Sequence, residues 1–160
     1  MDNEASADLH STIEDVYAAE AAKLWRALVA FAGDRELASD AVAEAFAQLI
    51  GRGIGVRDPA AWVWRAGFKI AGGELARARR PGPGVEFIPP AGQAADAVVD
   101  LMRALQQLPK RQRAVVVLHY LHDMSTPEVA RHLGMATPTV RVHLTRGRKT
   151  LRTLLESNDD

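Results

Sequence analysis

The sequence predicts an all-α protein made of two small helical domains, the second of which is a helix-turn-helix domain. Apolar residues recur at helical spacing on both sides of residues 81–84. The sequence PGPG at that point cannot continue a helix, because proline lacks a backbone donor and glycine costs backbone entropy. We therefore expect a disordered tail at 1–12, a helical domain at 13–80, a linker at 81–95 and the helix-turn-helix domain at 96–156.

The composition excludes several classes of protein. The chain has 160 residues, of which 48% are apolar, so compact cores are expected. It contains no cysteine, which excludes disulfide scaffolds, zinc ribbons and thiol catalysis. The first ten residues are acidic, and no apolar stretch is long enough to span a bilayer, so we expect a cytoplasmic protein without membrane insertion.

The net charge of zero hides an uneven distribution of charge. Residues 1–100 carry 10 Lys or Arg and 15 Asp or Glu, whereas residues 101–160 carry 10 Lys or Arg and 5 Asp or Glu. The cationic second part is typical of a surface that binds phosphate, and the acidic first part favours a protein partner. Within the first part, Arg77, Arg79 and Arg80 form a cationic cluster at the end of a predicted helix.

Three helices are predicted before the linker. The first covers residues 13–32, and the second covers 34–50 with Asp34 as its N-cap. Its apolar stripe leaves Asp40, Glu44 and Gln48 on the outer face. The glycines at 51, 53 and 55 break the helical pattern, and Asp58-Pro59 caps a third helix that runs to residue 80.

After the linker, Asp96 is the predicted N-cap of a helix through Leu108, and Pro109 opens another that leads into the helix-turn-helix. The residues 125–128, STPE, form a capping box, which starts the first helix of that motif. Gly134 suits a left-handed turn, and Thr137-Pro138 restarts a helix as N-cap and first helical residue. Two helices are therefore expected to meet at a sharp turn.

The second helix of this motif is predicted to have a buried seam and a cationic face. Residues at steps of three and four form the seam: Val140, Leu144, Gly147 and Leu151. Largely off that seam lie Arg141, His143, Arg146 and Lys149. These side chains suit base edges and phosphates in a major groove, which makes duplex DNA the leading partner. The alternative is a solvated basic helix at the end of a small bundle.

Enzymatic activity has little support in the sequence. His119 and His122 are spaced i,i+3 without cysteine or a nearby carboxylate cluster, so surface or core positions are favoured over metal binding. No phosphate-binding glycine loop, nucleophile elbow or zinc-protease motif occurs. We expect a protein that is not an enzyme and needs no metal or cofactor.

With these motifs the chain resembles the extracytoplasmic-function (group IV) sigma factors, the two-domain initiation subunits of bacterial RNA polymerase. The quoted segments are Leu108–Arg113, Val117-Leu118, Glu128–Ala130, Leu133-Gly134, Thr139–Arg141 and Arg146–Arg148. They are similar to the pattern LPxxxR…L…EIAxxLG…TVxxxxxRAR of the domain that reads the −35 element. The resemblance implies that the −35 contacts are made by Thr139, Arg141, His143, Arg146 and Lys149.

The resemblance extends to the first part of the chain. Residues 34–46 fall where the family has its polymerase-binding helix, and 61–65, AWVWR, is similar to the AWLYR signature before the −10-reading helix. This implies that Asp40, Glu44 and Gln48 face the polymerase clamp. It also implies −10 contacts by Trp64, Arg65, Lys69, Arg77, Arg79 and Arg80. An ordinary acidic face, and aromatic residues that belong to the core, are the alternatives.

The chain departs from the family pattern at three positions. Ala43 replaces a glutamine of the clamp-binding helix, Lys69 replaces an asparagine of the −10 pocket, and Gly73 replaces an aspartate. Glycines 67, 72 and 73 also load one helix with residues that each cost about 1 kcal/mol relative to alanine. This helix is therefore either labile or closely packed against another backbone.

The resemblance implies a subunit that binds core RNA polymerase, engages the −10 and −35 elements of promoter DNA and associates with the nucleoid in the holoenzyme. An anti-sigma factor is a further expected partner. Two other functions remain open at this point. One is a stand-alone regulator that binds duplex DNA without polymerase, and the other is a decoy that sequesters an anti-sigma factor.

Overall fold

The computed structural model describes residues 2–78 and 93–159, and every regular element within them is helical. The helices are α1 (Asp2–Ala32), α2 (Arg35–Arg52), α3 (Pro59–Ala78), α4 (Gln93–Gln107), α5 (Lys110–Val116), α6 (Thr126–Leu133) and α7 (Thr137–Asn158). A 3₁₀ turn at Gly53–Gly55 follows α2, and a π-helical turn at Val117–Leu121 continues α5. Arg79, Arg80 and residues 81–92 of the predicted linker lie outside the described residues.

The first three helices pack around large apolar side chains. Leu24 and Leu28 of α1 and Trp64 of α3 are 0% exposed, and the rings of Phe31 and Phe68 contact each other in the same core at a tilt of 58°, with centroids 5.0 Å apart. Gly67 lets α3 approach α1 closely, because a Cβ there would lie 3.3 Å from the methyl groups of Leu24. Close packing therefore explains this glycine.

The last three helices form the helix-turn-helix domain. Val129 of α6 and Val140 of α7 are fully buried, and the apolar residues of α5 and the π turn complete this core. At Gly147, a Cβ would lie 2.8 Å from Cγ2 of Val116. The absence of a side chain at this position is what allows α7 to pack against α5 at this distance.

Three predicted helix starts and one predicted turn are confirmed. The carboxylates of Asp34 and Asp58 accept hydrogen bonds from the N–H groups of residues 37 and 61 at 3.0 and 3.1 Å. Ser125 and Glu128 form the predicted capping box, with each side chain bonded to the backbone N–H of the other. Gly134 adopts the left-handed conformation with φ of +68°. These caps depend on local sequence alone.

Some predicted boundaries were wrong. Helix α1 begins at Asp2, so residues 2–12 are helical where we expected a disordered tail, because neither Gly nor Pro interrupts this part of the helix. Helix α4 begins at Gln93 rather than after Asp96, which shortens the predicted linker. The N-cap of α7 is Ala136 without a side-chain bond, so Thr137 is already helical.

The two helical halves share one continuous core. Buried residues of α1, α2 and α3 belong to the same apolar cluster as those of α4, α5, α6 and α7. The side-chain amide of Gln106 in α4 donates to the carbonyl oxygens of Ala30 and Phe31 at 3.0 and 3.4 Å. These two oxygens lie in the last turn of α1, where carbonyl groups have no partner within the helix. The halves predicted from the sequence are thus packed against each other.

Arg113 is the buried cation at this junction. Its guanidinium donates to the carbonyl oxygens of Phe31, Gln106 and Leu108 at 2.8–3.0 Å, and it lies 5.5 Å from the centre of the Phe31 ring. Burial lowers the pKa of Arg113 below its ordinary value. Hydrogen bonds to the three carbonyl groups compensate the free-energy cost of burying this charge, and they tie the end of α4 to the end of α1.

Candidate nucleic-acid interface

Helix α7 presents one side to the core and the other to solvent, as the sequence predicted. Val140 and Gly147 are buried, and Leu144 and Leu151 are half-buried against the core cluster. Four polar or cationic side chains named for the −35 site are exposed: Thr139, Arg141, Arg146 and Lys149. The buried seam fixes the rotation of the helix, so the cations are held on its solvent side.

The exposed cationic face of α7 is wider than the predicted set. Arg148 and Arg152 are also exposed, and the guanidinium of Arg148 donates to the hydroxyl of Tyr120 at 3.4 Å. Both could have been predicted from the sequence. Arg148 is adjacent to Lys149, and Arg152 follows at three residues from Lys149 and four from Arg148, which is the spacing of neighbours on a helix surface. The described part of α7 therefore carries five cationic side chains and one acidic residue, Glu156.

His143 differs from the other predicted contacts of this helix. It is half-buried, and its Nδ1 has no exposed area and no hydrogen-bond partner among the described residues. Burial is the main cause that lowers the pKa of His143, and the charges of Arg111 and Arg146 lower it further. His143 thus lies at the edge of the seam, three residues after Val140, and is less accessible than the other residues predicted to lie largely off it.

Trp64, one of the residues named for the −10 site, is a core residue in the structure. Its side chain is 0% exposed, and its indole N–H donates to the carboxylate of Glu20 at 2.8 Å. His122 and His132 contact it edge-on, with ring centroids at 5.7 and 5.6 Å. In this arrangement Trp64 has no free face on which a base could stack, which contradicts the predicted DNA contact.

The other described cations of α3 remain at the surface. Arg65 is exposed, but its guanidinium donates to the backbone carbonyl of Arg131 in α6 at 3.2 Å. Lys69 is exposed one helical turn further along. Arg77 pairs with Glu74 at 3.0 Å, and both side chains are largely in solvent. Lys69 and Arg77 are thus both exposed to solvent on α3, whereas the guanidinium of Arg65 is hydrogen-bonded to α6.

Asp40, Glu44 and Gln48 are exposed on α2, as predicted. The amide of Gln48 donates to the carboxylate of Glu44 at 3.0 Å. The three residues line one wall of an open groove of about 630 Å³, whose other wall is formed by Ile70, Glu74 and Arg77 of α3. Asp34 and Glu36, which were not among the predicted polymerase contacts, extend this acidic surface.

The described residues form neither a cluster of metal ligands nor a membrane-spanning helix. Within residues 2–78 and 93–159, no group of three or more His, Cys, Asp or Glu residues is placed to hold a metal ion. The helices in the described part of the chain include none that is long and apolar enough to cross a membrane.

Comparisons of the sequence identify relatives of part of the chain. Residues 99–151 match the family Sigma-70, region 4. The chain is 42% identical over 81 residues to the RNA polymerase sigma-E factor of Streptomyces avermitilis and 31% identical over 75 residues to the RNA polymerase sigma factor SigV of Bacillus subtilis. These matches cover 44% and 47% of this chain, and 45% of each relative, so the chain aligns with less than half the length of these proteins.

Two solved structures share the fold across both halves. The structure of CnrH in complex with the cytosolic domain of CnrY has a TM-score of 0.73 and 24% identity, and it covers 97% of this chain and 94% of CnrH. The sigma factor RpoE in complex with the anti-sigma factor NepR from Bartonella quintana has a TM-score of 0.67 and 20% identity, with 93% and 97% covered. The all-α fold predicted from the sequence is confirmed.

Proposed function

We propose that this chain, which carries a sigma-70 region 4 domain and belongs with the extracytoplasmic-function sigma factors, binds core bacterial RNA polymerase and directs transcription initiation at specific promoters. The observation that carries the proposal is the cationic solvent face of α7, which a buried seam holds in position within the helix-turn-helix. The chemistry of RNA synthesis belongs entirely to the polymerase.

The −35 element is the proposed ligand of α7. Arg141 and Arg146 suit guanine edges, because a guanidinium donates two parallel hydrogen bonds to the O6 and N7 acceptors of guanine. Lys149 and Thr139 suit phosphates, which position the helix without reading sequence. We add Arg148 and Arg152 as phosphate contacts, since both lie on the exposed side of the same helix.

The −10 element is the proposed ligand of α3. Lys69 and Arg77 are exposed on the described part of this helix, and Arg65 becomes available when its bond to Arg131 breaks. Arg79 and Arg80 extend this cationic stretch in the sequence. An ammonium lacks the paired donor and acceptor of an amide, so Lys69 holds phosphate better than it discriminates bases. Selectivity therefore resides mainly in the −35 element.

The acidic face of α2 is the proposed polymerase contact. Asp40, Glu44 and Gln48 are exposed together on the wall of a groove, and Asp34 and Glu36 add negative charge nearby. Such a surface complements a basic surface on the polymerase and speeds its association. We also propose an anti-sigma partner, because RpoE, which has the same fold, was solved with an anti-sigma factor.

The polymerase contact is tested by charge reversal. Asp40→Lys with Glu44→Lys places like charges against a basic clamp surface, so the affinity for purified core polymerase should fall at least tenfold while circular dichroism stays unchanged. Glu14→Lys with Asp15→Lys, on the exposed side of α1, is the matched control for net charge and should bind core as the natural chain does. Equal affinity of all three proteins would remove this face of α2 from the polymerase contact, whereas no binding by the natural chain would favour a stand-alone regulator.

A further inference from the structure

One apolar side chain lies in the middle of the cationic face of α7. Val142 is 47% exposed, and it does not belong to the apolar cluster that forms the core of the described residues. It stands two residues after Val140 and two before Leu144, so it lies about 200° around the helix from each of these seam residues. Val142 is therefore opposite the buried seam.

The neighbours of Val142 on this face are residues that we assign to the DNA contact. Thr139 and Arg146 are three and four residues away, which places them beside Val142 on the helix surface, and Lys149 lies seven residues further along. All three are exposed. In the described part of the chain, the other large apolar side chains that are exposed lie outside α7: Tyr17, Ile50, Tyr120 and Leu121.

The folding of α7 gives no reason for a valine at this position. Valine forms helices less readily than alanine or lysine, because its β-branched side chain restricts χ1. The side chain of Val142 is not packed against the core cluster, so burial does not offset this cost. An interaction outside the chain would offset it, and the cations around Val142 favour a nucleic acid as the partner.

The position of Val142 along α7 suits the reading of bases. In a helix-turn-helix, residues near the start of the second helix contact base edges in the major groove. Val142 is the sixth residue of α7, which places it about 7.5 Å from the start of the helix at about 1.5 Å per residue. The major groove is about 8.5 Å deep, so this distance lies within the groove.

Thymine is the base that matches this side chain. Its C5-methyl group is the apolar group that a base pair presents in the major groove, where the edges of the other bases present mainly N–H donors and N7 or O6 acceptors. A valine against those polar groups would remove their water without replacing its hydrogen bonds, which costs free energy. The restricted χ1 of valine also means that little side-chain entropy is lost on contact.

We propose that Val142 reads the 5-methyl group of a thymine in the −35 duplex. This inference rests on the proposed function, and it adds an apolar contact to the hydrogen bonds that we assign to Arg141 and Arg146. The three side chains together read hydrogen-bonding groups and a methyl group on one stretch of major groove.

Removal of single methyl groups from the DNA tests the contact. Holoenzyme reconstituted with the full chain first selects promoter fragments from a library that is randomised across the −35 element. Each thymine in the selected element is then replaced singly by deoxyuridine, which lacks the methyl group but keeps the base-pairing groups. At one of these positions the affinity should fall about two- to fivefold, which is the effect expected for one buried methyl group.

The same measurements with Val142→Ala assign the methyl contact to this residue. Alanine lacks the two methyl groups of valine and favours the helix, so α7 should stay intact. This variant should bind thymine and deoxyuridine fragments with equal affinity at that position. Ile50→Ala, which truncates an exposed apolar residue of α2, is the matched control and should keep the full difference. Lys149→Ala should weaken binding to both fragments and keep their ratio.

The outcomes separate this inference from the proposed function. If the holoenzyme selects promoters but deoxyuridine has no effect at any position, or the difference persists in Val142→Ala, the inference is wrong and the proposed function stands. A selected −35 element without any thymine on either strand would overturn the inference in the same way. If the holoenzyme selects no fragment better than core polymerase alone, the proposed function fails, and the inference fails with it.

Discussion

At the scale of single residues, burial rather than residue type decides which of the side chains predicted to contact DNA are accessible. Trp64 belongs to a buried stripe of α3 with Ala61 and Phe68, at steps of three and four residues. His143 lies three residues after Val140 and four before Gly147, which is the spacing of the buried seam. The burial of Trp64 and the position of His143 at the edge of the seam both follow from helical spacing, but Trp64 was named for the −10 site because of the chemistry of its ring.

The two partly buried histidines predict how stability depends on pH. Burial lowers the pKa of His122 and His143 in the folded chain below the ordinary value of 6.5, and nearby arginines lower it further. The folded state therefore binds fewer protons than the unfolded state once the pH falls below about 6.5. The free energy of unfolding should be highest above that pH and should decrease as the pH falls below it.

Urea unfolding at a series of pH values checks this dependence. His122→Gln with His143→Gln should flatten the decrease between about pH 6.5 and 5, because the titrating groups are removed. His10→Gln, at an exposed position of α1, is the control and should keep the natural slope. If the free energy of unfolding falls equally with pH in all three proteins, His122 and His143 do not cause the pH dependence.

At the scale of helices, the sequence predicts where a helix begins and ends better than which other helix it packs against. Ser125, Asp58 and Gly134 act through bonds to their own neighbours in the chain, so their roles follow from local sequence. The contact of α3 with α6 joins residues that are 66 positions apart, such as Arg65 and Arg131. Helical spacing specifies that a face is buried but not which helix buries it. This is why the contact between α3 and α6 was not predicted.

Two glycines in helices predict opposite effects of the same substitution. Gly147→Ala places a Cβ 2.8 Å from Val116, a buried residue of α5, so overpacking should cost about 1–3 kcal/mol. Gly72→Ala meets no atom within 4 Å, and it should stabilise the chain by about 1 kcal/mol through helix propensity. Chemical denaturation of both variants measures the difference, and a Gly147→Ala variant as stable as Gly72→Ala would contradict the packing of α7 on α5.

The cationic face of α7 gives a second prediction at this scale. Arg141→Ala should weaken binding to a −35 duplex by about 1–3 kcal/mol and relax base preference, if this guanidinium reads a base edge. Lys149→Ala should weaken binding to all sequences alike and reduce the slope of log affinity against log salt by about one. Both are measured by fluorescence anisotropy over a range of salt concentrations. Unchanged −35 affinity in both variants would remove this helix from the site.

At the scale of the whole molecule, charge and packing divide the chain into surfaces for which we propose different partners. The first 100 residues are acidic and the last 60 are basic, which agrees with the proposed protein contact on α2 and the proposed nucleic-acid contact on α7. These surfaces and the all-α fold were predictable from charge and spacing. The continuous core and the buried Arg113 at the junction were not, because they arise only when the two halves meet.

Transcription by reconstituted holoenzyme from a library of promoters tests the central claim most directly. With core polymerase and this chain, we predict initiation at a defined set of promoters, with single −35 substitutions reducing open-complex formation more than single −10 substitutions. Lys69→Asn should sharpen the −10 preference, because an amide pairs with base edges in a way that an ammonium does not. The account is contradicted if core polymerase with this chain initiates no better than core polymerase alone on every promoter of the library.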